Sequence, residues 1–546
     1  MRLEDVGDDA RHGNVARLHD ETVARHGDAL AVEMHGRTLT HAAVGTAAAR
    51  FAGGLRDLGL EPGDALLLYL PNCPQYLLAS LGAFRAGVVV SPVNPQYRVR
   101  ELSYQLEDAD ARAVVTHPAL GETVTEALSE TGREPVVITV AGGTGTAAGD
   151  DEDVPEGDAF EGDVRFDEVA GEPTLVERDD DDVALLPYTS GTTGRPKGVE
   201  LTHRNLRAQT VAQLAGGADD LAGEEVRSLV WLPLYHITGF THTAWQPLIR
   251  GGALYLRSPA SWDPDAAMVL IEAAGVTHFV GVTAMYVDMV NADSFGEHDL
   301  GSLVLAAEGG AKMSVSVQRE FEAMAGVEMA EGYGLTETTG ATHSQQGSTY
   351  GLRHGTVGQP LRMTDCKLVD DDGEEVAVGE AGELLVRGPQ VMRGYHGMPE
   401  ATDAAFTETG YFRTGDVARR DPENYYEIVD RKTHVIVSAG YNVYPSEVEE
   451  LLHEHDAVAD AAVVGVPDER RNEVPIAYVV PRPGVEPGAD VTAEDLKRYC
   501  LDAIAAYKHP RRVIFLDDLP RTASGKVQKF KLEGRDDAAA GGSGEV

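Results

Sequence analysis

The densest group of residues able to do chemistry is a loop of glycines and hydroxyl side chains that ends in a lysine. It reads Tyr188-Thr-Ser-Gly-Thr-Thr-Gly-Arg-Pro-Lys-Gly198 and follows an apolar run at residues 183–186. Backbone N–H groups and hydroxyls of such a loop can close round phosphate oxygens, and the lysine adds a positive charge. Because Pro196 stands where a Walker A loop has glycine before its lysine, the loop is of another kind. The residues predicted to contact phosphate are Thr189, Ser190, Gly191, Thr192, Thr193, Gly194 and Lys197.

Five further motifs follow this loop along the chain. They are Tyr333-Gly-Leu-Thr-Glu337, Tyr411-Phe-Arg-Thr-Gly-Asp416, Asp430-Arg431, Ala439-Gly-Tyr-Asn-Val-Tyr-Pro445 and Pro520-Arg-Thr-Ala-Ser-Gly-Lys526. With these motifs in this order, from about Asn14 to Leu532, the chain resembles the acyl-adenylate-forming superfamily and, within it, the long-chain fatty acid–CoA ligases. The resemblance implies an ATP-dependent acid–thiol ligase. Such an enzyme converts a carboxylic acid to acyl-AMP with release of pyrophosphate and then transfers the acyl group to CoA.

The resemblance also assigns the nucleotide site. The glycine-rich loop would hold the β- and γ-phosphates, and Thr336 would reach the α-phosphate. Glu337 and Thr189 would hold Mg²⁺, a cation that prefers oxygen ligands. Asp416 would accept hydrogen bonds from both ribose hydroxyls, with Arg431 on the same sugar. The residues expected around adenine are Glu308, Gly309, Gly310, Ala311, Glu331, Gly332 and Tyr333, the last by stacking, and Gly334 is expected in the same nucleotide site.

A mobile C-terminal domain is implied as well, since one active site must serve two half-reactions. Lys526 would bridge the carboxylate and the α-phosphate during adenylation, and Asp430 would be the hinge. The chain departs from the family pattern at Thr433, where lysine is usual, and at residue 439, where glycine is frequent. The residues expected along the pantetheine tunnel of CoA are Ala439, Gly440 and Tyr441.

The acyl pocket is expected beside the segment Trp231-Leu-Pro-Leu-Tyr-His236-Ile-Thr-Gly239. The candidate pocket residues are His236, Phe240, Val282, Thr283, Gly309, Thr338, Thr339 and Gly340. They include no carboxylate to pair with the ammonium of an amino acid and no arginine, which favours an apolar acyl chain. We therefore expect a medium- or long-chain fatty acid. An aryl acid such as a cinnamate or benzoate is the closest alternative.

Other function classes stay open at this point. A stand-alone adenylation enzyme would load a separate carrier protein, because no carrier attachment motif follows in the chain. A non-catalytic nucleotide-binding protein is disfavoured, since Lys526, Glu337 and Asp416 are all retained. A luciferase-type oxygenase would share these motifs, but nothing in the sequence supports it specifically.

The amino-acid composition limits the kinds of partner that the protein can bind. The chain has 546 residues, is 42% hydrophobic and carries a formal net charge of −43. A nucleic-acid partner is excluded, because neutralising its phosphates needs a basic face. Only nine lysines are present and the acidic residues are spread along the chain, a pattern that indicates adaptation to a salt-rich cytoplasm. Cys73, Cys366 and Cys500 form no metal or disulfide motif. Without a signal peptide or membrane span, the protein is expected to be cytoplasmic, as a monomer or homodimer.

Alternating strand and helix patterns position these motifs and predict an α/β fold. Residues 12–120 predict one mostly parallel sheet. Apolar runs at 183–186, 229–232, 253–256, 279–282 and 303–306 predict a second α/β lobe, and an antiparallel region begins near Val357. Residues 141–182 are expected to form a solvated loop, and Ser446 with Glu449 a helix capping box. The predicted domains are 1–429 and the small α+β domain 430–533, followed by a disordered tail at 534–546.

Overall fold

The computed structural model describes residues 11–140, 162–189, 196–216, 225–310, 313, 315–438, 441–468, 470–521 and 527–533. The strands are β1 Leu30–Met34, β2 Arg37–Thr40, β3 Ala65–Tyr69, β4 Val89–Pro92, β5 Ala111–Thr116, β6 Val136–Thr139, β7 Val164–Arg165, β8 Val183–Leu185, β9 Tyr188–Thr189, β10 Lys197–Thr202, β11 Arg227–Val230, β12 Ala253–Leu256, β13 His278–Gly281, β14 Leu305–Gly309, β15 Met329–Leu335, β16 Gly340–Ser344, β17 Gln359–Pro360, β18 Asp365–Val369, β19 Gly382–Arg387, β20 Gly394–Tyr395, β21 Phe412–Arg420, β22 Tyr426–Arg431, β23 Ile436–Ser438, β24 Tyr441–Val443, β25 Val458–Asp468, β26 Asn472–Pro481 and β27 Arg512–Phe515.

The α-helices lie mostly between strands, as the alternating sequence pattern predicts. They are α1 Arg17–His26, α2 His41–Asp57, α3 Pro74–Ala86, α4 Val99–Asp108, α5 Gly121–Thr131, α6 His203–Gly216, α7 Gln246–Arg250, α8 Pro264–Ala274, α9 Thr283–Val290, α10 Val315–Ala325, α11 Pro399–Ala405, α12 Pro445–His453, α13 Ala493–Ala503 and α14 Phe530–Glu533. Short 3₁₀ turns and a π-helix at Gly239–Trp245 complete the elements used below.

Two nine-stranded sheets form the large N-terminal part. The first sheet runs β20-β10-β8-β4-β3-β5-β6-β7 with β9 on β10, and the second runs β17-β16-β15-β14-β13-β11-β12-β1-β2. The division predicted from the sequence is therefore wrong in two places. The run at 183–186 belongs to the first sheet, because β8 pairs with β4 and β10, and the early hairpin β1–β2 belongs to the second sheet through its pairing with β12.

Helices α2 and α3 lie between these sheets. Their apolar faces, which include Phe51, Leu55, Leu77 and Phe84, join one buried core with residues of β3, β11 and β12. This explains why α2 and α3 are rich in small residues: two sheets and two helices share one narrow layer.

The acidic segment before β8 agrees with expectation in part. Residues 141–161 lie outside the described part of the chain, and residues 162–182 are mostly irregular and exposed or half-buried, but they are anchored to the first sheet and to helix α2. Val164–Arg165 adds strand β7 to the first sheet, and Gly171 N donates to Arg50 O across helix α2. A side chain at Gly53 would place its Cβ 2.2 Å from Glu172 O, so glycine there permits this close approach.

Two smaller sheets follow. The third sheet, β18-β19-β21-β22, is antiparallel, as expected for the region after Val357. The fourth, β24-β23-β26-β25 with β27 on β26, is covered by α12 and α13 and forms the C-terminal α+β unit. Thr492 caps α13 as its sequence indicates, through Asp495 N. The tail at 534–546 lies outside the described residues.

The predicted capping box at the start of α12 is wrong. Tyr444 occupies the N-cap, and Ser446 Oγ instead donates to Asp430 Oδ2 at 2.6 Å and lies 2.6 Å from Val429 O. Glu449 accepts from Val463 N at 2.6 Å and pairs with Lys529 at 2.7 Å. Both side chains thus link α12 to neighbouring elements rather than closing its first turn. Within the described residues, no helix is long and apolar enough to cross a bilayer.

Candidate active site

A cleft of about 1660 Å³ lies where the second and third sheets meet the C-terminal unit. Most of the side chains singled out in the sequence line it. They are Thr189, Lys197, His236, Val282, Thr283, Gly309, Gly310, Glu331, Gly332, Tyr333, Gly334, Thr336, Glu337, Gly340, Asp416, Asp430 and Arg431. The fold therefore brings together motifs that are separated by up to 242 residues in the chain.

The floor of this cleft is formed by the ends of three parallel strands, β13, β14 and β15. Gly281 of β13 pairs with Glu308 of β14, which pairs with Glu331 of β15. The carboxyl ends of the three strands therefore lie at one edge, the usual place for ligands in an open α/β sheet. Thr283, just beyond β13, donates its hydroxyl to Glu308 Oε1 at 3.1 Å, and Gln318 Nε2 donates to Glu331 Oε1 at 2.6 Å. These bonds hold the acidic side chains under the predicted adenine site.

A tight hairpin between β15 and β16 presents Thr336 and Glu337. Its turn is a 3₁₀ helix, Thr336–Thr338, followed by Thr339 at φ +58° and Gly340 at φ +112°. A Cβ at Gly334 would lie 1.9 Å from Gly340 O, so the close crossing of the two strands requires glycine. The hairpin therefore fixes Thr336 and Glu337 at its tip.

The predicted ribose site is a buried carboxylate between two donors. Asp416 on β21 lies directly opposite Arg431 on β22, and Arg431 Nε is 2.8 Å from Asp416 Oδ1. Tyr333 donates its hydroxyl to Asp416 Oδ2 at 2.5 Å. Burial, and then the charge of Asp416, raises the pKa of Tyr333 well above its ordinary value, so the phenol keeps its proton. Both carboxylate oxygens are therefore held in a fixed direction on the cleft wall.

The phosphate side of the cleft contains a residue that the sequence analysis missed, Tyr395. Its hydroxyl donates to Glu337 Oε1 at 3.0 Å, and Lys197 Nζ lies 4.7 Å from its ring centroid. Burial, and then Glu337, raises the pKa of Tyr395. The side chain comes from β20, which pairs with β10, so the only sequence signal is an aromatic residue beside Gly394 at a strand edge.

The stem of the glycine-rich loop is a β-hairpin. Lys197 pairs with Thr189 and Gly198 with Tyr188, while Tyr188 donates its hydroxyl to Asp108 at 2.7 Å. The six intervening residues, including Ser190, Gly191, Thr192, Thr193 and Gly194, lie outside the described part of the chain, as do Ala311, Ala439, Gly440 and Lys526. Their predicted roles stay predictions.

The C-terminal unit contributes one wall of the cleft. Arg521 and Val527, which flank residues 522–526, both line it, and so do Lys529 and Glu449. Tyr441 does not line the cleft; it is 58% exposed and stacks on Tyr507 at 4.7 Å between centroids. Arg521 and Val527 thus border the cleft, whereas Tyr441, the described residue of the predicted CoA segment, does not line it.

The acyl side of the cleft differs from the sequence expectation. Phe240 does not line it, because this ring stacks on Trp245 in the buried core. Thr338 and Thr339 are fully buried, with Thr339 Oγ1 donating to Gln390 O at 2.7 Å. The candidate pocket residues also left out Arg250, His242 and Gln246, which line the cleft.

The oxygen donors in the cleft suit a divalent cation that takes its remaining ligands from the phosphates of a bound substrate. Glu337 and Thr189 both line the cleft and offer oxygen atoms. In the described ranges, no cluster of three or more histidine, cysteine, aspartate or glutamate side chains could hold a metal unaided. Mg²⁺ is typically bound by one or two carboxylates plus phosphate oxygens, so these residues fit it.

Two family models match the chain. The AMP-binding enzyme family matches residues 19–396, and the AMP-binding enzyme C-terminal domain matches residues 447–526. A long-chain-fatty-acid–CoA ligase of Bacillus subtilis (strain 168) is 33% identical, with 94% of this chain and 92% of that protein covered. A feruloyl-CoA synthase of an Amycolatopsis species is 36% identical, with 93% and 96% covered.

A solved structure agrees over the same length. The chain is similar to ATP-bound MatB from Rhodopseudomonas palustris with a TM-score of 0.84 and 28% identity, covering 95% of this chain and 98% of that one. The similarity therefore extends through both the large N-terminal part and the C-terminal unit.

Proposed function

The chain belongs to the AMP-binding enzyme family, and we propose that it is an acyl-CoA synthetase that acts through an acyl-adenylate. The observation that carries this proposal is one cleft in which Asp416, Arg431 and Tyr333 form one side and Lys197, Tyr395 and Glu337 form the other. The first group suits a sugar and a base, and the second suits phosphates. ATP would bind between them.

Nucleotide binding follows from the buried carboxylate. With Arg431 and Tyr333 fixing its direction, Asp416 can accept hydrogen bonds from two neighbouring hydroxyls, as on a ribose. Glycines at 309, 310 and 332 leave the cleft floor flat beside Tyr333, so a base can lie on the backbone. The aromatic ring of Tyr333 supplies a stacking surface.

Adenylation requires two anions to meet. A carboxylate oxygen attacks the α-phosphorus, a C–O–P bond forms, and the bond to the leaving pyrophosphate breaks. Catalysis of such a step is alignment and charge neutralisation. Thr336 and Lys197 both line the cleft, Thr336 at the hairpin tip. Thr336 would reach the α-phosphate, and Lys197 would supply positive charge on the pyrophosphate side. Lys526 would bridge the two reacting groups.

Glu337 and Thr189 would hold Mg²⁺, which supplies positive charge to the phosphate oxygens when bound. The part played by Tyr395 is to orient Glu337: its hydroxyl donates to Oε1, which leaves Oε2 as the oxygen for a cation. Lys197 lies above the Tyr395 ring. It therefore adds its positive charge to that of the cation near the Glu337 carboxylate.

Thioester formation would use another position of the C-terminal unit. The thiol sulfur of CoA attacks the acyl carbonyl carbon, AMP leaves, and the thiol proton goes to solvent. In this structure Tyr441 is exposed and does not line the cleft, whereas Arg521 and Val527 border it. These positions suit the first half-reaction. Asp430, which joins β22 to α12 through Ser446, is the proposed pivot between the domains 1–429 and 430–533.

The acid is proposed to be a medium- or long-chain fatty acid, with an aryl acid as the second candidate. Val280 of β13 and the alternating residues Leu305 and Ala307 of β14 line the cleft on one face of the second sheet. Their small apolar side chains suit a long narrow tail. The feruloyl-CoA synthase relative and the polar residues His242 and Gln246 favour the aryl candidate.

The test is a panel of carboxylic acids with ATP, Mg²⁺ and CoA, analysed by mass spectrometry for thioesters and AMP. We expect thioesters from fatty or aryl acids and none without ATP. A panel in which only amino acids react, or in which ADP replaces AMP as product, would reject the proposal. Asp416→Ala serves as the inactive control, since it removes the carboxylate but leaves the acyl side intact.

A further inference from the structure

Both strands of the stem of the glycine-rich loop are attached to one helix, α4. Thr189 and Lys197, which line the cleft, pair with each other across strands β9 and β10. Thr189 directly follows Tyr188 in the chain, and Lys197 directly follows Pro196. Both of these neighbours are hydrogen-bonded to side chains of α4. The helix therefore holds the chain next to each of the two cleft residues.

Tyr104 of α4 holds the Pro196 side of the stem. Its hydroxyl donates to the backbone carbonyl oxygen of Pro196 at 2.8 Å. That carbonyl belongs to the peptide group whose nitrogen is the backbone nitrogen of Lys197. Because a peptide group is planar, the bond fixes the orientation of the backbone at the point where Lys197 begins. Tyr104 thus limits where the Lys197 side chain can leave the backbone.

Asp108 of α4 holds the other side of the stem through Tyr188. The hydroxyl of Tyr188 donates to Asp108 Oδ2 at 2.7 Å. Asp108 lies four residues after Tyr104, so the two side chains share one face of the helix. The rings of Tyr104 and Tyr188 also meet edge-on, with 6.2 Å between their centroids. Burial, and then the hydrogen bond to Asp108, raises the pKa of Tyr188, so the phenol keeps the proton that it donates.

Neither Tyr104 nor Asp108 is among the described residues that line the cleft. We propose that these two side chains are positioning residues, which set the places of Thr189 and Lys197 for the β- and γ-phosphates of ATP. This inference rests on the proposed acyl-CoA synthetase function, in which these phosphates leave as pyrophosphate. Groups that align a reacting phosphate lose much of their effect when they are displaced slightly.

AMP separates this positioning role from a general effect on the fold. It has the base, the ribose and the α-phosphate of ATP, but it lacks the two phosphates that Thr189 and Lys197 would contact. Its proposed site, beside Tyr333 and Asp416, lies on strands β15 and β21, which belong to other sheets than the stem. Loss of the α4 contacts should therefore weaken the binding of ATP and leave the binding of AMP as it is.

Ser103, the residue before Tyr104, provides a matched control. It is 6% exposed, its hydroxyl donates to Glu130 Oε2 on α5 at 3.1 Å, and it is not among the cleft-lining residues. Ser103→Ala therefore removes a hydrogen bond of α4 that does not reach the stem. Asp108→Asn is the conservative variant, because its amide oxygen can still accept from the hydroxyl of Tyr188.

The experiment measures Kd for ATP with Mg²⁺ and for AMP by titration calorimetry. The acid is left out, so no adenylate forms, and denaturant unfolding checks that each variant is folded. Tyr104→Phe and Asp108→Ala should each raise Kd for ATP by about three- to tenfold, the effect of one lost hydrogen bond, with Kd for AMP unchanged. Asp108→Asn should lie closer to the wild type than Asp108→Ala, and Ser103→Ala should keep both wild-type values.

Three results would overturn the inference. One is a wild-type Kd for ATP in both Tyr104→Phe and Asp108→Ala. Another is an equal rise of Kd for ATP and AMP in these variants, which would make the contacts structural only. The third is a rise of Kd for ATP of the same size in Ser103→Ala. In each case the wild type still binds both nucleotides, so the acyl-CoA synthetase proposal stands; a wild-type protein that binds neither nucleotide would reject that proposal and this inference together.

Discussion

Tyr333→Phe is the perturbation that examines the nucleotide site most closely. The change removes one oxygen and keeps the ring, so the stacking surface survives while Asp416 loses its donor at 2.5 Å. Asp416 is 3% exposed and would keep its contact with Arg431 Nε. The carboxylate would lose one of the contacts that fix its direction, and its two oxygens would no longer be aligned for two ribose hydroxyls.

The magnitude follows from the kind of bond that is lost. A hydrogen bond to a charged group contributes about 1.5–3 kcal/mol, and each 1.4 kcal/mol is about tenfold in an equilibrium constant. KM for ATP should therefore rise roughly 10- to 100-fold. The kcat at saturating ATP should change by less than about threefold, because Tyr333 contacts neither the carboxylate nor the α-phosphate in the proposed reaction. The free energy of unfolding should fall by about 1–3 kcal/mol.

The assay is steady-state pyrophosphate release with ATP varied, together with denaturant unfolding. Tyr425→Phe is the matched control, since Tyr425 is 1% exposed, donates its hydroxyl to Gly351 O at 2.6 Å and does not line the cleft. It should lose stability and keep the wild-type KM for ATP. If Tyr333→Phe also keeps the wild-type KM while its stability falls, the Tyr333–Asp416 bond is structural only and the ribose assignment is refuted.

Four other changes test separate parts of the account. Lys526→Ala should slow adenylation by about 10²–10³, the effect of losing about 3–4 kcal/mol of charge stabilisation, yet leave CoA attack on supplied acyl-adenylate intact; equal losses in both half-reactions would count against two domain positions. Asp430→Pro fixes φ and should permit pyrophosphate release but stop thioester formation, with Asp430→Ala as control for the lost contacts to Ser446; wild-type thioester synthesis in the proline variant would place the pivot elsewhere. Activity and folding should need molar KCl, and full activity near about 0.1 M salt, where the Debye length is about 10 Å, would remove the halophilic interpretation. Burial lowers the pKa of His19 to about 3 and of His41 to about 4. The folded state holds both rings neutral while the unfolded chain protonates them, so stability should be lost as pH falls below about 6.5, by about 2–3 kcal/mol per ring near pH 4.5; His41→Leu should flatten this slope, and an unchanged slope would contradict the assignment.

That most of the candidate site residues line one cleft was predictable because they belong to local motifs. Each motif lies at the end of a strand or in a turn, where the local backbone geometry limits which residue types fit. Gly334, for example, is required by the crossing of two strands, and Asp416 and Arg431 are opposite each other in one hairpin. The order of the motifs along the chain then identified the family, and with it the overall fold class.

The errors concern contacts between distant parts of the chain. Which sheet receives the run at 183–186 depends on pairing with β4 and β10, and no local pattern specifies a strand partner. The predicted capping box does not form because Ser446 donates its hydroxyl to Asp430, a buried residue of strand β22. Tyr395 was missed because its role depends on reaching Glu337 from a two-residue strand.

The acyl side was the least predictable part. Phe240 and His242 are two residues apart, yet the first packs into the core and the second lines the cleft. The segment is a π-helix, in which Thr241 Oγ1 donates to Ile237 O and Thr243 Oγ1 to Gly239 O. Residues two apart in a helix point in nearly opposite directions, and the sequence carried no periodic pattern that shows which of the two faces the cleft.

The central claim is that a carboxylate oxygen of the acid attacks the α-phosphorus of ATP in this cleft. The most direct measurement uses an acid that turns over in the panel, with both carboxyl oxygens replaced by heavy oxygen, and follows the label by mass spectrometry after ATP, Mg²⁺ and CoA are added. We expect one heavy oxygen in AMP and none in pyrophosphate or inorganic phosphate. Unlabelled AMP, or label in inorganic phosphate with formation of ADP, would contradict it.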